Sequence, residues 1–130
     1  MNKNTNLLTA FGRTIGIDLE FDEHGQSFLL MDEQLMVSIR SVSGAVILYA
    51  MVGEFPDAPG NDFWQKVLAV NVALAEDGAG ALAFEERTEA LLFVKHLPTE
   101  RLEPHDFADA VESFVNRLES LIATLDAMSV

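Results

Sequence analysis

The chain has 130 residues, 49% of them hydrophobic, which predicts a single domain, 1–130, with its own core and no extended disorder. It carries 21 acids against 8 bases, a formal net charge of −13, and no cysteine. This balance argues against a nucleic-acid or anionic-membrane partner, which needs clustered Lys and Arg. The lack of thiols removes disulfides, thiolate metal sites and a cysteine nucleophile.

The N-terminal "MNKNTNLLTAFG" has one Lys and no apolar run of signal-peptide length. No stretch approaches the roughly 20 apolar residues of a membrane span. Together these predict a cytoplasmic protein. Leu7, Leu8, Phe11 and Ile15 recur at helical spacing, with Asn4, Thr5 or Asn6 as the cap and Gly16 as the stop. Residues 18–26, "DLEFDEHGQ", are acidic and turn-like. Strands are predicted at about 27–32, 35–42 and 45–53, joined by tight turns at Asp32-Glu33-Gln34 and Ser43-Gly44. "EFPDAPGND" is a loop ending in a capping Asn or Asp, and a second helix follows over about 62–75. Strands near 81–86 and 90–97 form a hairpin around "ERTE" that ends at Pro98. The last helix has Pro104 in its first turn and carries Phe107, Val111, Phe114, Val115, Leu118, Leu121, Ile122 and Leu125 at steps of three and four. The order α-β-β-β-α-β-β-α predicts an α+β domain with a mostly antiparallel, twisted sheet.

Motifs for chemistry are sparse. Asp18, Glu20 and Asp22 alternate as in a calcium loop, but Glu23 and Leu29 stand where that loop needs Gly and Glu. His24, His96 and His105 form no HxxxH or HxH pair, and there is no GxSxG, P-loop or GxGxxG. "GAG" at 78–80 reads as a helix exit rather than a phosphate cradle. No catalytic residue, metal site or cofactor is predicted, and the expectation is a binding protein rather than an enzyme.

The apolar surfaces carry more information. With Glu33-Gln34 as the central turn residues, Met31 faces Met36 and Leu30 faces Val37. One sheet face then holds Phe28, Leu30, Val37, Ile39, Leu48 and Ala50, a core under the last helix. The other holds Leu29, Met31, Met36, Ile47, Tyr49 and Met51, with Ser38 and Arg40 among them. A half-solvated sheet should be polar on that side, so this face needs cover from the first helix, another subunit or a partner. The second helix raises the same issue. Phe63, Val67, Val70 and Leu74 form one apolar stripe; Trp64, Leu68, Val72 and Ala75 form another, with the polar Asn71 on its edge. Two stripes imply two buried sides, either both within one subunit or one of them in a two-fold homodimer. Asn71 is expected to hydrogen-bond at a semi-buried junction rather than to catalyse.

The chain resembles class I type III secretion chaperones, the Tir-chaperone family of small acidic bacterial proteins. The resemblance lies in the element order, "LLTAFGRTIGI", the hairpin "FLLMDEQLMVSI", "VLAVNVAL" before a Gly-containing break, "ALAFEERTEALLFVKHLP" and "FADAVESFVNRLESL". It implies a cytosolic homodimer, independent of ATP, that binds the extended N-terminal region of a secreted virulence effector and keeps it soluble and export-competent. It implies dimer contacts on the second helix, here Trp64, Leu68, Asn71 and Val72. It also implies effector contacts on sheet patches, for which Leu29, Met31, Met36, Ile47, Tyr49 and Met51 are the candidates. Acidic charge would favour basic effector segments. A second reading of the same fold is an adaptor or regulatory protein outside secretion that binds another protein.

Overall fold

The computed structural model describes residues 2–55 and 59–128. Helix α1 spans Lys3–Ile15, and strands β1 (Gln26–Met31), β2 (Leu35–Val42) and β3 (Ala45–Glu54) follow. Helix α2 spans Asn61–Asp77, strands β4 and β5 span Ala81–Glu85 and Ala90–Pro98, and helix α3 spans Pro104–Met128. All strand pairs are antiparallel, in the order β1-β2-β3-β5-β4. The α+β class and the element order are those expected. Residues 56–58 of the expected loop lie outside the described residues.

Two helix starts differ from expectation. Asn2, not Asn4, Thr5 or Asn6, caps α1: its side chain accepts from the Thr5 N–H at 2.8 Å. Asn4 points inward instead and is 5% exposed. Helix α2 is capped by Gly60 without a side-chain bond, so neither Asn61 nor Asp62 serves as its cap. Its exit is as expected. Gly78 adopts φ 64° and, with Ala79, donates backbone N–H groups to the Ala75 and Leu74 carbonyls.

The core lies between the helices and one face of the sheet. Phe107, Val111, Phe114, Val115, Leu118, Leu121 and Leu125 of α3 are buried on it. Each large side chain removed from water here contributes about 1.5–3 kcal/mol. Phe93 of β5 stacks on Phe114 at 4.5 Å with the rings 6° apart, and Phe11 of α1 meets Phe107 edge-on at 5.8 Å. Helix α1 therefore packs beside α3 on the core side and leaves the opposite sheet face uncovered.

The β1–β2 connection corrects the expected register. The turn is centred on Asp32 and Glu33, which adopt φ 51° and 62°, and the Gln34 N–H closes it on the Met31 carbonyl at 3.1 Å. Met31 then pairs with Leu35, Leu30 with Met36 and Leu29 with Val37. A one-residue slip exchanges the faces of a strand. Leu29 goes into the core at 2% exposure and Met31 packs half-buried against it, whereas Phe28 and Leu30 turn outward. The β2–β3 register is as expected, with Ile39 opposite Leu48.

Candidate functional site

Strand alternation and the registers assemble the open face. Phe28 and Leu30 come from β1, Met36, Ser38 and Arg40 from β2, Ile47, Tyr49 and Met51 from β3, and Leu92 and Val94 from β5. Phe28 is 57% exposed, and Leu30, Met36 and Met51 are each 51% exposed. Exposed apolar patches are where proteins commonly meet partners or ligands. Four of the six residues expected on this face are there: Met36, Ile47, Tyr49 and Met51. Leu29 and Met31 are not, and Phe28, Leu30, Leu92 and Val94 were missed. The missing signal was the turn, since the β1 sequence is apolar on both faces and cannot set its own phase.

Gln26, Phe28, Met36, Ser38, Arg40, Tyr49, Ala50, Met51, Glu85 and Leu92 line a groove of about 510 Å³ across this face. Its floor is apolar, with Arg40 and Glu85 as the charged groups of the lining. The methionines give a surface that adapts its shape to different side chains.

Helix α2 shows its second apolar stripe only partly buried. Trp64 packs edge-on against Phe63 at 5.2 Å and Phe84 at 5.3 Å, but Leu68 is 64% exposed and Val72 59% exposed. The chain itself therefore does not bury both sides of this helix. Asn71 makes its bonds within the subunit. Its Oδ1 accepts the Leu82 backbone N–H at 2.6 Å, and its Nδ2 donates to the Leu82 carbonyl at 3.2 Å. The side chain thus satisfies one residue of edge strand β4 as a neighbouring strand would. Strand β1 forms the sheet's other edge.

In the acidic 18–26 segment the turn lies at Glu23-His24, while Leu19 is buried in the core and Gln26 already begins β1. Asp22 Oδ1 accepts the backbone N–H groups of His24 at 2.8 Å and Gln26 at 2.9 Å. Chiefly the Gln26 bond, with the one from His24, holds its carboxyl below the ordinary carboxylate value. His24, His96 and His105 are all exposed. Among the described residues no three His, Asp or Glu side chains come together as metal ligands, and no helix is long and apolar enough to cross a membrane.

The fold is shared with solved proteins. It matches a chain in the crystal structure of the ExsC–ExsE complex with a TM-score of 0.81 at 23% identity, covering 95% of this chain and 93% of that one. It matches a chain of the HopA1–SchA chaperone–effector complex with a TM-score of 0.79 at 17% identity, covering 92% and 93%. In sequence, the chain is 28% identical over 122 residues to a Tir chaperone of Escherichia coli O111:H-, which spans 92% of this chain and 77% of that protein. The model of the Tir chaperone protein (CesT) family matches residues 6–122, nearly the whole length, and the chain belongs to that family.

Proposed function

We propose that the protein is a cytoplasmic, homodimeric chaperone for a type III secreted effector. It binds the effector's extended N-terminal segment on the open sheet face and keeps it soluble and ready for export. The observation that carries this reading is the apolar face of Phe28, Leu30, Met36 and Met51, exposed on a chain of net charge −13. Family membership supports the reading, and so does the likeness in fold to a chain of a solved chaperone–effector complex.

The physics is consistent. An extended segment gains main-chain hydrogen bonds at a sheet edge and places alternate side chains on the apolar floor. Each edge strand has one residue already satisfied, Leu82 of β4 by Asn71 and Gln26 of β1 by Asp22, so an added strand takes the main-chain groups along the rest of an edge. A pre-formed surface lowers the ordering cost that the client must meet on binding. Leu68 and Val72, with Trp64 beside them, form the contact between two copies, and Asn71 holds α2 against β4 beneath that contact. The work is binding, and no covalent step is needed.

The test is affinity capture from the native organism under secretion-inducing conditions, with Met36→Asp as control. The expected result is a secreted protein held through its N-terminal region by the wild type and lost from the variant. Retention of the same protein by Met36→Asp would refute the face. A cytosolic regulator as sole partner would replace the secretion reading with the adaptor one.

A further inference from the structure

Arg40 stands on the open face with no ion pair or side-chain hydrogen bond among the described residues. Its cross-strand neighbours are Gln26 on β1 and Ile47 on β3, and Ser38 precedes it on the same face. It is the one cation in the groove lining. The groove's carboxylate, Glu85, lies at the far end on β4, three strands away. On the other side Asp18, Glu20 and Asp22 flank Gln26 and Phe28 along the outside of β1. The arrangement is an apolar floor with one positive point inside an acidic rim.

While the face is open, water solvates the guanidinium. Any segment that covers the floor strips that water away. A charge so covered is strongly unfavourable unless an acceptor replaces the water. Guanidinium geometry suits a carboxylate, which takes two parallel N–H bonds. A covering segment with Lys or a bare apolar residue at this point is rejected, which is selection by penalty as much as by attraction. The protein's overall charge opposes an acidic client at long range, but that field is screened within about 8 Å at physiological salt while a direct contact is not.

We propose that Arg40 is a specificity-determining residue of this face, pairing with one carboxylate of a client segment. The segment's apolar side chains rest on Phe28, Met36, Tyr49 and Met51, and its flanks, which meet the acidic rim, are neutral or basic. This inference rests on the reading of the face as the client-binding surface.

The test uses the full-length protein and a displayed random-peptide library. The groove crosses four strand spacings and several residues along the strands, roughly 25 Å, which an extended peptide of about eight residues spans. A library of about twelve residues is therefore long enough. Selections run in parallel on wild type, Arg40→Glu and Met36→Asp. The expected result is that wild type enriches one Asp or Glu between apolar residues, Arg40→Glu enriches Lys or Arg there, and Met36→Asp loses the apolar consensus. A selected peptide should bind wild type about five- to tenfold more weakly after its acid is changed to Lys, with binding restored on Arg40→Glu. An apolar consensus lost in Met36→Asp, with the same acid frequency for wild type and Arg40→Glu, overturns the role of Arg40 and keeps the binding face. No apolar consensus from wild type, or one untouched by Met36→Asp, overturns both.

Discussion

Asn4 sits where three parts of the chain meet. Its amide lies 2.9 Å from each of three acceptors, Ser41 Oγ, the Val42 carbonyl and the Ala45 carbonyl. Its Oδ1 accepts from Thr99 Oγ1 at 2.5 Å, and Thr99 is itself buried. The first helix, the β2–β3 turn and the start of the α3 connection are thereby tied together. In Asn4→Leu the size is kept, but the buried Thr99 hydroxyl and the Ala45 carbonyl, with the half-buried Val42 carbonyl, lose this partner. Stability should fall by about 2–3 kcal/mol, because unsatisfied buried groups cost their full desolvation. Urea unfolding reads this, with the exposed Asn6→Ala as control, expected within about 0.5 kcal/mol of wild type. Equal stability of Asn4→Leu and wild type would remove the knot from the account. From the sequence, Asn4 was one of three equal cap candidates, since its real partners are about 40 and 95 positions away. Gly80 was hidden in the same way. It read as part of a helix exit, but a Cβ there would come within 2.5 Å of the Val94 carbonyl, so it is the residue that lets β4 lie close on β5.

At the scale of elements, helices and strand positions were legible because their periods are local. Of the eight apolar residues expected on the inner face of α3, seven are buried and Ile122 is partly buried against the core. The β1 face was not legible. "SFLLMD" is apolar on successive residues, so only the turn could set its phase, and that turn uses Asp32 and Glu33 at positive φ, a conformation that non-glycine residues seldom adopt. All of the expected β2 and β3 contribution is on the open face, because the Ser43-Gly44 turn is the simple one. The two stripes of α2 were legible as stripes, and the structure leaves Leu68 and Val72 in the open. If that stripe joins two copies, an Asp at either position places an unpaired carboxylate in an apolar contact. Leu68→Asp and Val72→Asp should each run as a monomer by light scattering at micromolar concentration, with unchanged far-ultraviolet dichroism, while wild type and Met36→Asp run at twice the 14.3 kDa of the chain. A monomeric wild type at that concentration would sink the two-copy reading. An intact Leu68→Asp dimer would move the contact elsewhere.

The whole molecule is a charged shell around a core with an apolar face left open. Net charge of −13 keeps such a surface soluble, but it also sets the acids against one another. With 21 acids to 8 bases most acids cannot be matched by a base: Arg117 pairs with Asp77 at 2.8 Å, and the pairs at His24 and His105 depend on histidine protonation. A folded chain of this length has a radius of gyration near 14 Å, against roughly 37 Å unfolded, so folding draws the acids together. At about 0.01 M salt the screening length is about 30 Å, comparable to the folded diameter, and every acid feels every other. At about 0.5 M it falls to about 4 Å, and the repulsion is nearly gone. Sodium chloride should therefore stabilise the protein, in contrast to proteins held by surface ion pairs. On the order of 1 kcal/mol of relieved repulsion corresponds to a rise of about 3–6 °C in Tm at this size. Chloride is the right salt, since sulfate also strengthens apolar burial, and urea is the right denaturant, since guanidinium is itself a salt. A melt series from about 0.01 to 0.5 M sodium chloride reads the effect. A flat or falling Tm would mean that the acids are spaced widely enough not to oppose folding, and the excess charge would then serve solubility and client choice alone.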